Sequence, residues 1–328
     1  LMHASRMASL EVVEIILRSG GNVNVKNEYG QTALFYAVKS KTKEIAHITQ
    51  LVTVLLSAGA DVNIVDKYNE TVLSHVLRRM KEDSEYAQMR QHKSESSWIT
   101  VACKLVQYGV DVNVMDGLGR TALWYAVRLL DEEATRVLIE SGAGIDLRDE
   151  EGMTPLMIAV TQSMFLDSYH EHESLVKVCN TLITAGADVN VKDKHGKTPL
   201  MHSSEAGEFD IVQSLLIANP EVNAADEDGM TALFYAIKSK EIATKLIEYG
   251  AYIRIADNSG KTALMYAAEK DERNVLDALI TNGAQLDAAD ERGRTALIIA
   301  AASNHVTIVN KLIADGADVN AADNEGMT

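Results

Sequence analysis

Two apolar patterns alternate along the 328-residue chain. In one, Leu follows a Thr by two residues and a small or apolar residue follows it by five, as in Leu200/Ser203 and Leu297/Ala300. Residues three apart share a helical face, so each such pair predicts the buried side of a short helix. The other pattern places apolar residues at i, i+1, i+4 and i+5. Ile211, Val212, Leu215 and Leu216 show it, as do Ile308, Val309, Leu312 and Ile313. It predicts a second helix with a broad apolar stripe. A polar stretch separates each second helix from the next Thr. An Asp or Asn stands near its centre, at Asn27, Asp66, Asp116, Asp149, Asp193, Asp226, Asp257, Asp290 and Asp323, three residues ahead of a Gly. A short acceptor side chain bonds the turn's own backbone, and Gly tolerates positive φ. Asn69 replaces that Gly once and is the next best residue for the conformation. Thr then caps the first helix, with Pro155 and Pro199 at its first position.

These segments recur with fixed spacing. Gly-x-Thr-(Ala/Pro)-Leu carries Thr32, Thr121, Thr154, Thr198, Thr231, Thr262 and Thr295, and Thr71 belongs in altered form. A string close to Gly-Ala-Asp-Val-Asn starts at Gly59, Gly186 and Gly316, and in altered form at Gly20, Gly109, Gly142, Asn219, Gly250 and Gly283. From its first residue to the next motif Thr is 12 residues in every case. From Thr to the next string is 21 residues in four repeats, 19 in one, and 27, 38 and 32 after Thr32, Thr71 and Thr154. The turn half is therefore rigid, and the helical half accepts insertions near residues 40–48, 80–96 and 162–173. The charged 80–96 segment is expected to extend its first helix before a loop. A period of about 33 residues signals stacked supersecondary units, none of which buries its apolar face alone.

At these residues the chain resembles the ankyrin-repeat family. Asp193-Lys-His-Gly196-Lys-Thr198-Pro-Leu200 through Asn219-Pro-Glu-Val-Asn223 shows much of that family's unit, and the likeness covers the whole chain. It implies an all-α fold with short β-hairpin turns, in a single curved solenoid of about nine repeats over residues 1–328. The chain starts and stops inside a repeat, so we expect a window from a longer protein. One departure is systematic. The family's His after Leu gives way to Phe35, Ser74, Trp124, Met157, Met201, Phe234, Met265 and Ile298, so packing by bulk is expected there. In some animal members the Asn of Asp-Val-Asn is hydroxylated, which by resemblance would touch Asn63, Asn113, Asn190, Asn223 and Asn320.

The resemblance also implies a protein-interaction scaffold that catalyses nothing, binding a partner protein or peptide through the concave groove and the hairpin tips. The alternatives are the targeting arm of a larger enzyme (kinase, ubiquitin ligase or bacterial effector) and the cytosolic arm of a membrane protein. The first helix lines the groove in that family. Counting 100° per residue from the Leu, positions four and seven past the Thr point away from the core. The fourth position holds Tyr36, His75, Tyr125, Ile158, His202, Tyr235, Tyr266 and Ile299; the seventh holds Lys39, Arg78, Arg128, Thr161, Glu205, Lys238, Glu269 and Ala302. We single out Tyr36, Lys39, Arg78, Tyr125, Arg128, Tyr235, Lys238 and Tyr266 as candidate partner contacts, because Tyr and Arg dominate interface hot spots. Two readings stand: a groove for an acidic or phosphorylated peptide, or semi-buried Tyr packing beside ordinary solvated cations.

Charge and composition narrow the partner. The net charge is −16 and aromatic content is 5 %. Both disfavour nucleic acid, which needs clustered Lys/Arg and stacking platforms. Residues 1–150 hold 17 basic and 20 acidic side chains, and residues 151–328 hold 14 and 27. The first half suits an acidic partner and the second a basic one. The longest apolar run, Ala296–Ala302, is too short to span a membrane. Cys103 and Cys179 form no pairing pattern, which fits a reducing cytoplasm or nucleus and buried packing roles. We expect a monomer with no cofactor. His170-Glu171-His172-Glu173 lacks the i, i+4 spacing of a helical zinc pair, so no metal is expected. No phosphate loop, dinucleotide fingerprint or nucleophile elbow is present. Asn69-Glu70-Thr71 matches a glycosylation sequon, but Thr71 is the expected helix cap.

Overall fold

The computed structural model describes residues 1–40, 42, 44–90, 98–165 and 169–328, without the side chains of 81, 83–90, 164, 165 and 169. It divides into two compact units, residues 1–150 and 151–328. The first is built from the helix pairs Met2–Arg6 and Leu10–Arg18, Ala33–Val38 and Ile45–Ser57, Val72–Arg90 and Trp98–Gln107, and Ala122–Arg128 and Glu132–Glu140. The second continues with Pro155–Thr161 and Tyr169–Thr184, Pro199–Ala206 and Phe209–Ile217, Ala232–Tyr235 and Lys240–Glu248, Ala263–Glu269 and Arg273–Thr281, and Ala296–Ala302 and Val306–Ala314. Within each unit first helices pack on first helices and second on second, so every layer buries its apolar faces against its neighbours.

The sequence explains these helices locally. Thr121, Thr154, Thr198, Thr262 and Thr295 each accept a hydrogen bond from the backbone N–H three residues on, and each is buried. Such a cap satisfies a donor the helix cannot. Leu at the second position and the small or apolar residue at the fifth are buried in all eight complete first helices. The insertions largely become helix. The first helix of the Thr71 repeat runs to 19 residues, against 7 for Ala122–Arg128. The second helices of the Thr32 and Thr154 repeats run to 13 and 16, against 9 for Glu132–Glu140. Gln162–Phe165 form a short 3-10 turn, and residues 41, 43, 91–97 and 166–168, in and beside the inserted segments, lie outside the described residues.

The hairpin half is a tight turn rather than a strand pair; among the described residues one isolated antiparallel bridge occurs, Ala256–Thr262. In the Asp226 turn, Oδ1 accepts the N–H of Asp228 at 3.0 Å and of Met230 at 2.9 Å, while the Asp226 N–H donates to the Met230 carbonyl. The same bonds recur at Asp66, Asp116, Asp193, Asp257 and Asp290. Asn69 takes the Gly place at φ 59°, as the sequence predicts.

Adjacent turns are stitched together twice. Beside the turn Asp, a backbone N–H donates to the preceding turn, as from Lys67 to Tyr29, Glu227 to His195 and Glu291 to Ser259. The Asn of Asp-Val-Asn then grips the next repeat. Asn223 donates to the Gly250 carbonyl at 2.9 Å and accepts from the Tyr252 N–H at 2.7 Å. Asn113 does the same to Gly142 and Gly144. That conserves backbone pairing at a layer boundary where no sheet exists. No described helix is long and apolar enough to cross a membrane.

Candidate functional site

The positions four residues past each Thr are not displayed. Tyr125 is 2 % exposed, and His75, Ile158 and Ile299 are also buried. Tyr36, His202, Tyr235 and Tyr266 are half-buried. This corrects the single-helix projection for Tyr125 and reduces it for the other three Tyr. The physical cause is a bond that the projection does not see. Each polar ring folds back nine residues to its own turn. Tyr125, Tyr235 and Tyr266 donate to Oδ2 of Asp116, Asp226 and Asp257 at 2.9, 2.5 and 2.7 Å. His75 and His202 meet Asp66 and Asp193 at 3.2 and 2.9 Å. Tyr36 accepts from the Asn27 amide at 3.0 Å.

The two Ile repeats satisfy their carboxylates differently. Arg294 donates twice to Oδ2 of Asp290. The Trp124 indole N–H donates to Oδ2 of Asp149 at 3.0 Å. Asp66, Asp116, Asp193, Asp226, Asp257 and Asp290 thus each serve backbone with one oxygen and a side chain with the other. Trp124 also departs from the expected packing by bulk, since it bonds as well as fills. Phe35 and Phe234 do pack by bulk, edge-on to His75 and Tyr266.

Electrostatics follow from burial. Burial raises Tyr125, Tyr235 and Tyr266 above the ordinary phenol value; the Asp partner adds to it in all three, and a hydrogen bond from Arg120 works against it at Tyr125. Burial outweighs the Asp partner at His75 and His202 and holds both below 6.5. At Asp66 burial acts upward, but bonds from Gln31, the Tyr68 and Glu70 N–H groups and His75 lower it below 3.8. A histidine neutral in the fold and titrating at 6.5 when unfolded makes the unfolded state bind more protons as pH drops. Its stabilisation is complete above pH 6.5 and is lost as pH falls toward the folded value. The Asp66 carboxyl beside His75, held below 3.8, titrates below that window. His75→Tyr with His202→Tyr installs the ring found in four other repeats. We expect the loss of unfolding free energy between pH 6.5 and 5 to be at least halved in that variant, measured by urea denaturation across pH.

Asp66, Glu70 and His75 bring three potential metal-ligand atoms within 4.8 Å, the one such group among the described residues. These atoms are already engaged. Oδ2 of Asp66 also accepts from Gln31 at 3.1 Å, Glu70 pairs with Arg78, and Lys39 lies within electrostatic range. The cluster is the His form of the ring-to-turn bond. The thiols are poor nucleophiles: burial pushes Cys103 up to about 12 and raises Cys179 further. His172 of the His/Glu run pairs with Glu208 at 3.3 Å.

The seventh position is different. Lys39, Arg78, Glu205 and Lys238 are exposed, and Arg128 is half-buried. In three repeats the side chain just before the Thr reaches it. Glu70 pairs with Arg78, Lys197 with Glu205 at 2.8 Å, and Lys261 with Glu269 at 3.2 Å. In the Thr121 repeat both members are basic. Arg120 and Arg128 lie 4.6 and 5.4 Å from the Trp124 ring centre. Sequence reasoning missed Arg120, because the residue before the cap belongs to no helical period, and read Trp124 as packing by bulk alone. The tips of the first unit add Tyr29 and Tyr68, 42 % and 68 % exposed, with the Lys67 ammonium 4.1 and 5.0 Å from their ring centres.

A family model described as ankyrin repeats (3 copies) matches residues 1–85, 98–168, 164–257 and 239–323. The crystal structure of the ankyrin repeat domain of Bcl-3, a unique member of the IkappaB protein family, is similar. It is 28 % identical with a TM-score of 0.55, over 64 % of this chain and 92 % of that one. No curated protein matches by sequence.

Proposed function

The chain belongs to the ankyrin-repeat family, and from that premise we propose that it is a non-catalytic binding array. Its partner is a protein or peptide held along the column seven residues past each Thr and at the turn tips. Ankyrin repeats are generally protein–protein interaction modules. One observation carries the finer reading. The fourth position is tied to the turn, whereas Lys39, Arg78 and Lys238 at the seventh are exposed. Exposed side chains on a repeated scaffold are where a repeat protein varies its recognition. Tyr36, Tyr235 and Tyr266 offer only part of a ring to such a partner, and Tyr125 acts by holding its neighbours in place.

The first unit is the arm for an acidic partner and the second for a basic one, on charges of 17 against 20 and 14 against 27. The repeat spacing runs unbroken through residue 150, which supports one continuous array over 1–328. An intracellular setting, cytoplasm or nucleus, fits its two free cysteines. The test is affinity capture from cell extract with the intact chain and with K39Q/R78Q/R128Q/K238Q. Proteins retained by the first and lost from the second are expected; an identical set on both removes the column from the reading.

A further inference from the structure

We propose that the turn tips at residues 66–69 and 116–119 form a main-chain docking notch, and that it takes an extended segment of a partner protein bearing apolar side chains and a carboxylate. The proposal rests on the interaction reading above and says what the tips of the first unit recognise. The nine turns make eight junctions, and at seven of them the N–H just past one turn Asp donates to a carbonyl of the turn before. The junction without that bond lies between Tyr68 and Gly117. Among the described residues the Tyr68 carbonyl has no other donor and the Gly117 N–H no other acceptor, and both residues are exposed. A backbone donor and acceptor so placed are open to a second chain.

The sequence makes the gap. A Cβ on Gly30 meets Asp66 Cα at 3.3 Å, one on Gly119 meets Asp149 Cα at 3.1 Å, and one on Gly196 meets Asp226 Cα at 3.0 Å. Close approach of the next turn therefore needs Gly three residues past the turn Asp or Asn. Asn69 holds that place at φ 59° and carries a Cβ, which keeps the Asp116 turn from closing on it as the other turns close on theirs.

One residue of an extended chain exchanges both of its main-chain bonds with a single neighbour, so it can accept from Gly117 and donate to Tyr68 together. The side chains around the notch set what that chain carries. The residue two past the turn Asp or Asn is Tyr29, Tyr68 and Leu118 in the first three turns and polar from Glu151 onward. Val65 and Met115, one before the turn Asp, are exposed in the same two turns. The apolar tips are thus confined to the notch and its border, and they suit apolar side chains. The Lys67 ammonium rests on the Tyr29 and Tyr68 rings, 4.1 and 5.0 Å from their centres, and on no carboxylate among the described residues. It selects an acidic residue beside the docked one.

The probe is the capped peptide Thr-Glu-Val-Ile-Glu-Thr, titrated into the full chain. Affinity is read by fluorescence anisotropy, and the amide signals of Gly117 and Glu227 are followed by NMR. The Glu227 N–H already donates to the His195 carbonyl and serves as the internal reference. We expect the Gly117 signal to shift, the Glu227 signal to stay, and half-saturation at or below about 1 mM peptide. Two variants remove the notch and keep the fold. Asn69→Gly supplies the residue the other turns use there and closes the junction. Gly117→Pro deletes the N–H alone, because Pro suits the second place of a turn whose fourth residue, Gly119, donates back to the Asp116 carbonyl at 3.1 Å. Each should lower affinity about fivefold or more with thermal unfolding still cooperative. Lys67→Gln should weaken binding of this peptide and leave that of its Gln counterpart unchanged. No Gly117 shift at about 1 mM peptide, affinity unchanged in both notch variants, or equal binding of the peptide N-methylated at every amide overturns the proposal. Failure of the peptide, with protein capture still lost on neutralising the seventh-position column, overturns the notch alone. Peptide binding with capture unchanged by that neutralisation supports the notch and overturns the column.

Discussion

Asp226→Ala is expected to lower the unfolding free energy by about 3–4 kcal/mol, read from urea denaturation. The carboxylate accepts three hydrogen bonds, from the Asp228 and Met230 N–H groups and from the Tyr235 hydroxyl. A bond to a charged acceptor contributes about 1.5–3 kcal/mol, and a donor left buried costs about 1–3 kcal/mol. Water reaches part of this turn, which keeps the total below the sum of the separate bonds. Asp226→Asn keeps an acceptor for the backbone and should recover more than half of the loss. Tyr235→Phe removes one bond of the three and should cost about 1 kcal/mol. Equal losses in Ala and Phe variants mean that the ring bond alone carries the effect and the turn is indifferent to its Asp.

Gly196→Ala should be nearly as damaging, by about 3 kcal/mol, although Ala adds a single carbon. Gly196 has φ 80°, and a Cβ there meets Asp226 Cα and the Glu227 nitrogen at 3.0 Å. The left-handed conformation alone costs an Ala about 1–2 kcal/mol. The rest comes from displacing the adjoining turn, whose Glu227 N–H donates to the His195 carbonyl. Gly186 is the control. Its φ is 92° but nothing lies within 4 Å of an added Cβ, so Gly186→Ala should cost only the conformational part. Denaturation of the two variants side by side separates strain from inter-repeat contact. Similar losses in both exclude the contact.

The fold was legible because its signals are local. Thr caps, the Asp-to-Gly turns, Asn69 in a Gly place and the two apolar periods all act within a dozen residues. The insertions were legible in position, and the extension of the Thr71 first helix was foreseen. The growth of the second helices after Thr32 and Thr154 was not, because an apolar stripe does not say where its first turn begins. The candidate site was legible only in part. A helical wheel treats one helix in vacuum, so it placed Tyr125 in open space. The ring instead spans nine residues to Asp116, a distance that no helix period encodes. Ile158 and Ile299 held the clue: an apolar residue in two of eight places fits a covered position better than a displayed one. Arg120 and Trp124 escaped for another reason. Their meaning lies in comparison with Glu70/Arg78 and Lys197/Glu205, pairs that join the residue before the Thr to one eight places on, a spacing outside the helix itself.

We propose a division of labour between two columns three residues apart. Its most direct measurement takes the unfolding free energy and the partner capture of K39Q/R78Q/R128Q/K238Q on one preparation. Three of these four side chains are exposed, and exposed ion pairs contribute about 0–1 kcal/mol. Stability is expected to stay within about 1 kcal/mol of the unaltered chain, with capture lost. Capture that persists, or a loss of stability as large as that of Asp226→Ala, would contradict it.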